Sequence, residues 1–151
     1  MINVLPVFMG ALLSFSLFPA MADDDAGNND AGLRYWNEIE RETVTTESGL
    51  QYKALITGEG RKPGPRSKVK VHYRGLLLNG VTFDTSYNED EPATMNLKNV
   101  IKGWQEGIPL MPAGSVFVFL IPPELAYGSK GSDMIPPNAT LIFEVELFGK
   151  K

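Results

Sequence analysis

The stretch Lys68-Val69-Lys70-Val71-His72-Tyr73-Arg74 alternates without a break. Val69, Val71 and Tyr73 fall on one face and Lys68, Lys70, His72 and Arg74 on the other, the period of two of a strand with one face on a core. Outward from it, Asn79-Gly80 supplies the residues that best tolerate a tight hairpin turn, and Val81-Thr82-Phe83 reads as the returning strand. Upstream, residues 62–67 are a Pro/Gly turn cluster, and residues 50–56 read as a first strand ended by Gly58-Glu59-Gly60. Downstream, residues 115–121 form a continuous apolar run, the pattern of a strand covered on both faces. Residues 140–148 alternate again, with Leu141, Phe143, Val145 and Leu147 inward and Glu144 and Glu146 outward. Only residues 100–108 suggest an internal helix, barely two turns long. The pattern predicts an α+β domain, a curved antiparallel sheet of about five strands wrapped around one short α-helix.

The N-terminal third has a different grammar. Residues 1–22 carry no charged side chain and read as a secretory signal, with an apolar stretch from Val7 to Phe18, a helix-breaking Pro19 and a small-x-small site at Ala20-Met21-Ala22. The basic residue usual near the start of such a signal is missing. The expectation is an exported protein cleaved near Ala22, in a bacterium the periplasm; a retained membrane anchor is the alternative, since the uncharged run is long enough. Residues 23–48 form an acidic arm with eight Asp/Glu against two Arg. Within it Leu33, Trp36 and Ile39 recur at spacing three, which suggests a short surface helix docked weakly on the domain. Residues 49–151 are left as the folded domain.

Composition narrows the chemistry. The 151 residues hold no cysteine and one histidine, and the formal charge is −4. A disulfide framework, a thiol nucleophile and a thiolate- or histidine-built metal centre are excluded. An acidic chain is a poor match for nucleic acid, whose binding rests on Lys/Arg–phosphate contacts. Arg61, Lys62, Arg66, Lys68, Lys70 and Arg74 are locally basic, but no aromatics interleave on that face for bases to stack on. His72 sits among those cations, so it reads as part of a solvated sheet face rather than as a ligand. No nucleophile motif or phosphate-binding glycine loop occurs. What remains is aromatic: Tyr73, Phe83, Trp104, Tyr127 and Phe143 sit at inward-facing or turn-proximal positions, and Asp84 ends an apolar strand. Alone, these residues give an apolar pocket in a β-rich domain, with core packing the plainer account of each aromatic.

The order of the motifs adds more. The chain runs through Val71-His72-Tyr73-Arg74-Gly75, Phe83-Asp84-Thr85-Ser86 and Val100-Ile101-Lys102-Gly103-Trp104-Gln105-Glu106-Gly107. Pro122-Pro123-Glu124-Leu125-Ala126-Tyr127-Gly128 and Ile135-Pro136-Pro137-Asn138-Ala139-Thr140-Leu141 follow. In this order the motifs closely resemble the FKBP family of peptidyl-prolyl cis–trans isomerases, from about Gly49 to Phe148. Within it the chain looks most like the exported bacterial macrophage-infectivity-potentiator type, whose domain opens with a strand like Ser48-Gly49-Leu50-Gln51-Tyr52.

The resemblance implies a cavity with Trp104 at its floor, Tyr73, Phe83 and Phe143 as walls, and Val100 and Ile101 at the rim. It implies that the Ile101 N–H and the Tyr127 hydroxyl donate to substrate carbonyls, that Asp84 is a polar wall contact, and that Ile135 lies on a flexible loop over the site. It also implies proline-containing polypeptide substrates, no cofactor or metal, and binding of macrolides of the rapamycin class. The chain departs from the family's prototype at Ala93, where a further wall Phe is usual, and at Glu89, where an Arg pairs with the wall Asp. Its loop from Ser129 to Ile135 is also about one residue shorter. Relatives with a long N-terminal helical domain dimerise, so the short arm here leads to an expected monomer. The other function to be weighed is a chaperone or peptide-binding module with an idle pocket.

Overall fold

The computed structural model describes residues 31–150. Its strands are β1 (Val44–Thr45), β2 (Gln51–Ile56), β3 (Lys68–Leu77), β4 (Thr82–Thr85), β5 (Ala93–Asn96), β6 (Val116–Ile121) and β7 (Leu141–Lys150). They form one antiparallel sheet in the order β1-β2-β6-β7-β3-β4, with β5 also on β3. The sheet thus has seven strands where the sequence suggested about five. The two extra strands are too short to alternate visibly, and β5 carries a single large apolar residue, Met95. They exist because longer strands offer them an edge: β3 pairs with β7 along one side and with β5 and then β4 along the other. At the hairpin into β4, Gly80 takes φ 86°, and the Asn79 side chain accepts the Val81 N–H at 3.0 Å.

The short helix α2 (Lys102–Gly107) lies against the inner face of the sheet. Glycines set the close approach, since a Cβ on Gly103 or Gly107 would come within 2.6 Å of Ile121 or Phe119 side-chain atoms. Between helix and sheet lies the main core, with Val71, Tyr73, Trp104, Phe119, Phe143 and Leu147 among its members.

The outer face is covered too. Helix α1 (Ala31–Ile39) lays Tyr35 and Trp36 over Leu76, Val118 and Ile142, forming a second apolar cluster. Its docking is firm rather than weak: Trp36 is 3% exposed, and the Leu33 N–H donates to the Leu78 carbonyl at 3.1 Å. This explains why β6 is apolar on both faces. It also corrects the reading of Glu144, which does point away from the main core but is only 2% exposed, buried beneath α1 with the Tyr35 hydroxyl 3.4 Å from its Oε2. His72 likewise is half-buried rather than solvated, stacked on Tyr87 at 4.9 Å.

Residues 1–22 and the first part of the acidic arm, 23–30, lie outside the described residues. Among the described residues, no helix is long and apolar enough to cross a membrane.

Candidate active site

A cavity of about 260 Å³ opens where the concave sheet meets the N-terminus of α2. Seven of the residues singled out in the sequence line it: Tyr73, Asp84, Val100, Ile101, Trp104, Tyr127 and Phe143. Each comes from a different device. Strand β3 supplies Tyr73 and β7 supplies Phe143 from alternating inward positions, while Trp104 rises from the first turn of α2. Tyr127 follows the short 3-10 turn Pro123–Leu125 and is 39% exposed at the mouth.

The rings meet edge to face. Trp104 makes T-shaped contacts with Tyr73 (5.1 Å) and Phe143 (5.3 Å), and Phe83 does so with Phe143 (5.4 Å). Phe83 packs edge to face on Phe143 but is not among the residues that line the cavity. Gly75 makes this corner fit, because a Cβ there would lie 2.6 Å from a Phe83 ring carbon and 2.8 Å from one of Phe143.

Ile135 is buried, 6% exposed, and packs into the main core. Reciprocal backbone hydrogen bonds with Ser132, 2.8 and 3.0 Å long, pinch its loop, leaving Met134 as the exposed apolar residue there. Two lining residues escaped sequence reasoning, Met95 and Asn99. Met95 is on the short strand β5, and Asn99 is in the turn before α2, where no periodicity marks it.

The polar groups are few and oriented. The Tyr73 hydroxyl donates to Asp84 Oδ2 at 2.8 Å. That bond orients the carboxylate from the pocket side, whereas Glu89 is exposed and uses its N–H to close a turn on the Ser86 carbonyl. Burial, then the bond to Asp84 and its charge, push the Tyr73 hydroxyl well above its ordinary value. Burial and the Asp84 charge also raise Tyr127. Both hydroxyls therefore stay protonated, as donors, at neutral pH. At the rim the Gln105 amide donates to the Val100 carbonyl at 2.8 Å, which fixes the peptide plane whose other side is the Ile101 N–H. The Trp104 Nε1 is buried without a hydrogen-bond partner. No group of His, Cys, Asp and Glu able to hold a metal ion occurs among the described residues.

A curved sheet closed over a short helix, with an aromatic-walled cavity and a tyrosine–carboxylate pair at its edge, is the architecture of this domain. The comparisons specify it. The family of FKBP-type peptidyl-prolyl cis-trans isomerases matches residues 59–148, and the chain belongs to that family. It is 48% identical over 134 residues to the FKBP-type peptidyl-prolyl cis-trans isomerase FkpA of Aeromonas hydrophila, covering 87% of this chain and 50% of the relative. To the outer membrane protein MIP of Legionella longbeachae it is 40% identical over 135 residues, 89% of this chain and 58% of the relative. The crystal structure of FkpA from Escherichia coli superposes with a TM-score of 0.72 at 40% identity, covering 82% of this chain and 59% of that one. The chain thus spans about half the length of the curated relatives it matches.

Proposed function

We propose that this chain catalyses cis–trans isomerisation of X–Pro bonds in polypeptides, with residues 49–151 as the catalytic unit. The observation that carries the reading is the cavity itself: three aromatic walls and floors around one oriented carboxylate, with hydroxyl and backbone donors at the rim. Rotation about an X–Pro bond crosses a barrier of roughly 18–20 kcal/mol and takes tens to hundreds of seconds unaided. Most of that barrier is lost amide resonance, and the planar amide is the more charge-separated form. A dry pocket solvates the planar form poorly and the twisted form well, so it binds the transition state better than the ground state. Each ~1.4 kcal/mol of that difference gives tenfold in rate. Tyr73, Trp104 and Phe143 provide the dry walls; the Tyr127 hydroxyl and the Ile101 N–H hold the carbonyls on either side of the rotating bond. No covalent step and no cofactor enters.

The same cavity suits a macrolide of the rapamycin class. The charge-free segment 1–22 followed by an acidic stretch supports export with cleavage near Ala22, the retained anchor being the alternative. Export, together with the outer-membrane description of the Legionella longbeachae relative, supports a role in folding exported proteins. The test is refolding of a denatured protein whose slow phase is limited by proline isomerisation. Shortening of that phase is the expected result. A higher yield with an unchanged slow phase would instead identify a chaperone with an idle pocket.

A further inference from the structure

Tyr73 is held from two sides by one short segment. Its hydroxyl reaches Asp84, and its backbone reaches Ser86, two residues further on. The Ser86 N–H donates to the Tyr73 carbonyl at 3.0 Å, as a strand partner would. An antiparallel ladder would return the Tyr73 N–H to the Ser86 carbonyl. That carbonyl is turned away, because it accepts the Glu89 N–H at 3.1 Å where the chain leaves the sheet. The Ser86 hydroxyl takes its place and accepts the Tyr73 N–H at 2.8 Å.

The hydroxyl is itself buried, with Ser86 only 5% exposed. His72 Nδ1 lies 2.9 Å from Ser86 Oγ, and the Tyr73 carbonyl lies 3.5 Å away. The Ser86 hydroxyl therefore shares a hydrogen bond with Nδ1, whose donor is set by the imidazole tautomer. His72 is fixed in turn by its stack on Tyr87 and an edge contact with Phe148 at 5.7 Å. Thr85 closes the arrangement, donating its hydroxyl to the Tyr73 carbonyl at 3.1 Å.

We propose that Ser86 is a positioning residue for the pocket: by replacing the missing ladder carbonyl it fixes the Tyr73 backbone to the segment that carries Asp84, and so fixes Tyr73 and Asp84 against each other. Without the hydroxyl, a buried N–H loses its acceptor, and the segment is held to Tyr73 only at its carbonyl, by the Ser86 N–H and the Thr85 hydroxyl. The Tyr73 ring then loses its register against both Asp84 and Trp104. The consequence for catalysis rests on the isomerase reading above; the consequence for pocket geometry does not.

The experiment is a double-mutant cycle on the full chain, with Ser86→Ala, Tyr73→Phe and the pair, read by the proline-peptide isomerisation rate and by NMR. Ser86→Ala is expected to lower kcat/KM roughly tenfold in the wild-type background, and to have a clearly smaller effect once Tyr73→Phe has removed the hydroxyl that meets Asp84. Effects that multiply independently would mean a merely structural serine and overturn the proposal. His72→Phe keeps the stack on Tyr87, removes Nδ1, and serves as the milder variant should Ser86→Ala not fold. Its expected fall is about two- to threefold, again smaller in the Tyr73→Phe background; the same fall in both backgrounds would overturn the proposal. Should the wild type show no isomerase activity, the function above fails while the positioning role is still read by NMR. Ring resonances of Tyr73 and Trp104 that shift in Ser86→Ala support it, and unchanged resonances overturn it.

Discussion

Phe143 and Glu144 are neighbours in β7 that serve opposite faces of the sheet. Phe143 walls the cavity, and Glu144 is buried under α1 beside Tyr35. Burial pushes the Glu144 carboxyl up from 4.5 to about 7, outweighing the opposing pull of Arg74 and of the Tyr35 hydrogen bond. Because the folded-state value lies above the unfolded one, the folded protein binds more protons between the two. Stability from this residue therefore rises as pH falls from about 7 toward 4.5, and the penalty for burying the charge is complete above 7. That penalty is at most ~3 kcal/mol. Glu144→Gln should raise the melting temperature by several degrees near pH 8, leave it almost unchanged near pH 5, and flatten the dependence between. Thermal melts across that range check it, and an identical profile in wild type and variant would contradict it.

Trp36 anchors the same helix. Trp36→Ala should destabilise the protein by about 3 kcal/mol, the usual loss for a buried large aromatic. Its cluster is separated from the cavity by the thickness of the sheet. Denaturant unfolding should therefore show a lower midpoint, while isomerase activity per folded molecule stays within about twofold of wild type.

Gly75 has no room for a methyl group between Phe83 and Phe143. Gly75→Ala should push those rings apart, destabilise the fold by roughly 1–3 kcal/mol, and deform the cavity wall. Activity should fall more than stability alone explains, as measured by kcat/KM at a temperature where the variant is fully folded.

Tyr127 and Asp84 are exposed, so their truncation leaves the main core packed. Tyr127→Phe and Asp84→Ala are each expected to lower kcat/KM about tenfold, the equivalent of one hydrogen bond, with melting temperatures close to wild type. Phe83→Ala should also lower the rate, acting through Phe143, which it supports edge to face. Full activity in Asp84→Ala would mean that the carboxylate held by Tyr73 is a bystander.

Much of this was legible in the sequence because the inner face is written in strict alternation. Val69, Val71 and Tyr73 of β3, and Leu141, Phe143, Val145 and Leu147 of β7, all face inward as the period of two requires. The pocket residues followed from motif order more than from physics, since an aromatic on a strand looks the same in a core as in a binding wall. The outer face was misread for a physical reason: Glu144 occupies a polar position in an alternating strand, and only the docking of Tyr35 and Trp36 from a distant segment buries it. Ser86 was hidden similarly, because its role depends on where its own carbonyl points, a property of the turn through Glu89 that residue identity does not encode.

The central claim is that the aromatic cavity rotates X–Pro bonds, and its most direct measurement is the cis-to-trans relaxation of a proline-containing tetrapeptide with micromolar protein present. The expected rate rises in proportion to protein concentration above the spontaneous one, and falls in Tyr127→Phe. A relaxation rate that stays at the spontaneous value with correctly folded wild-type protein would contradict it.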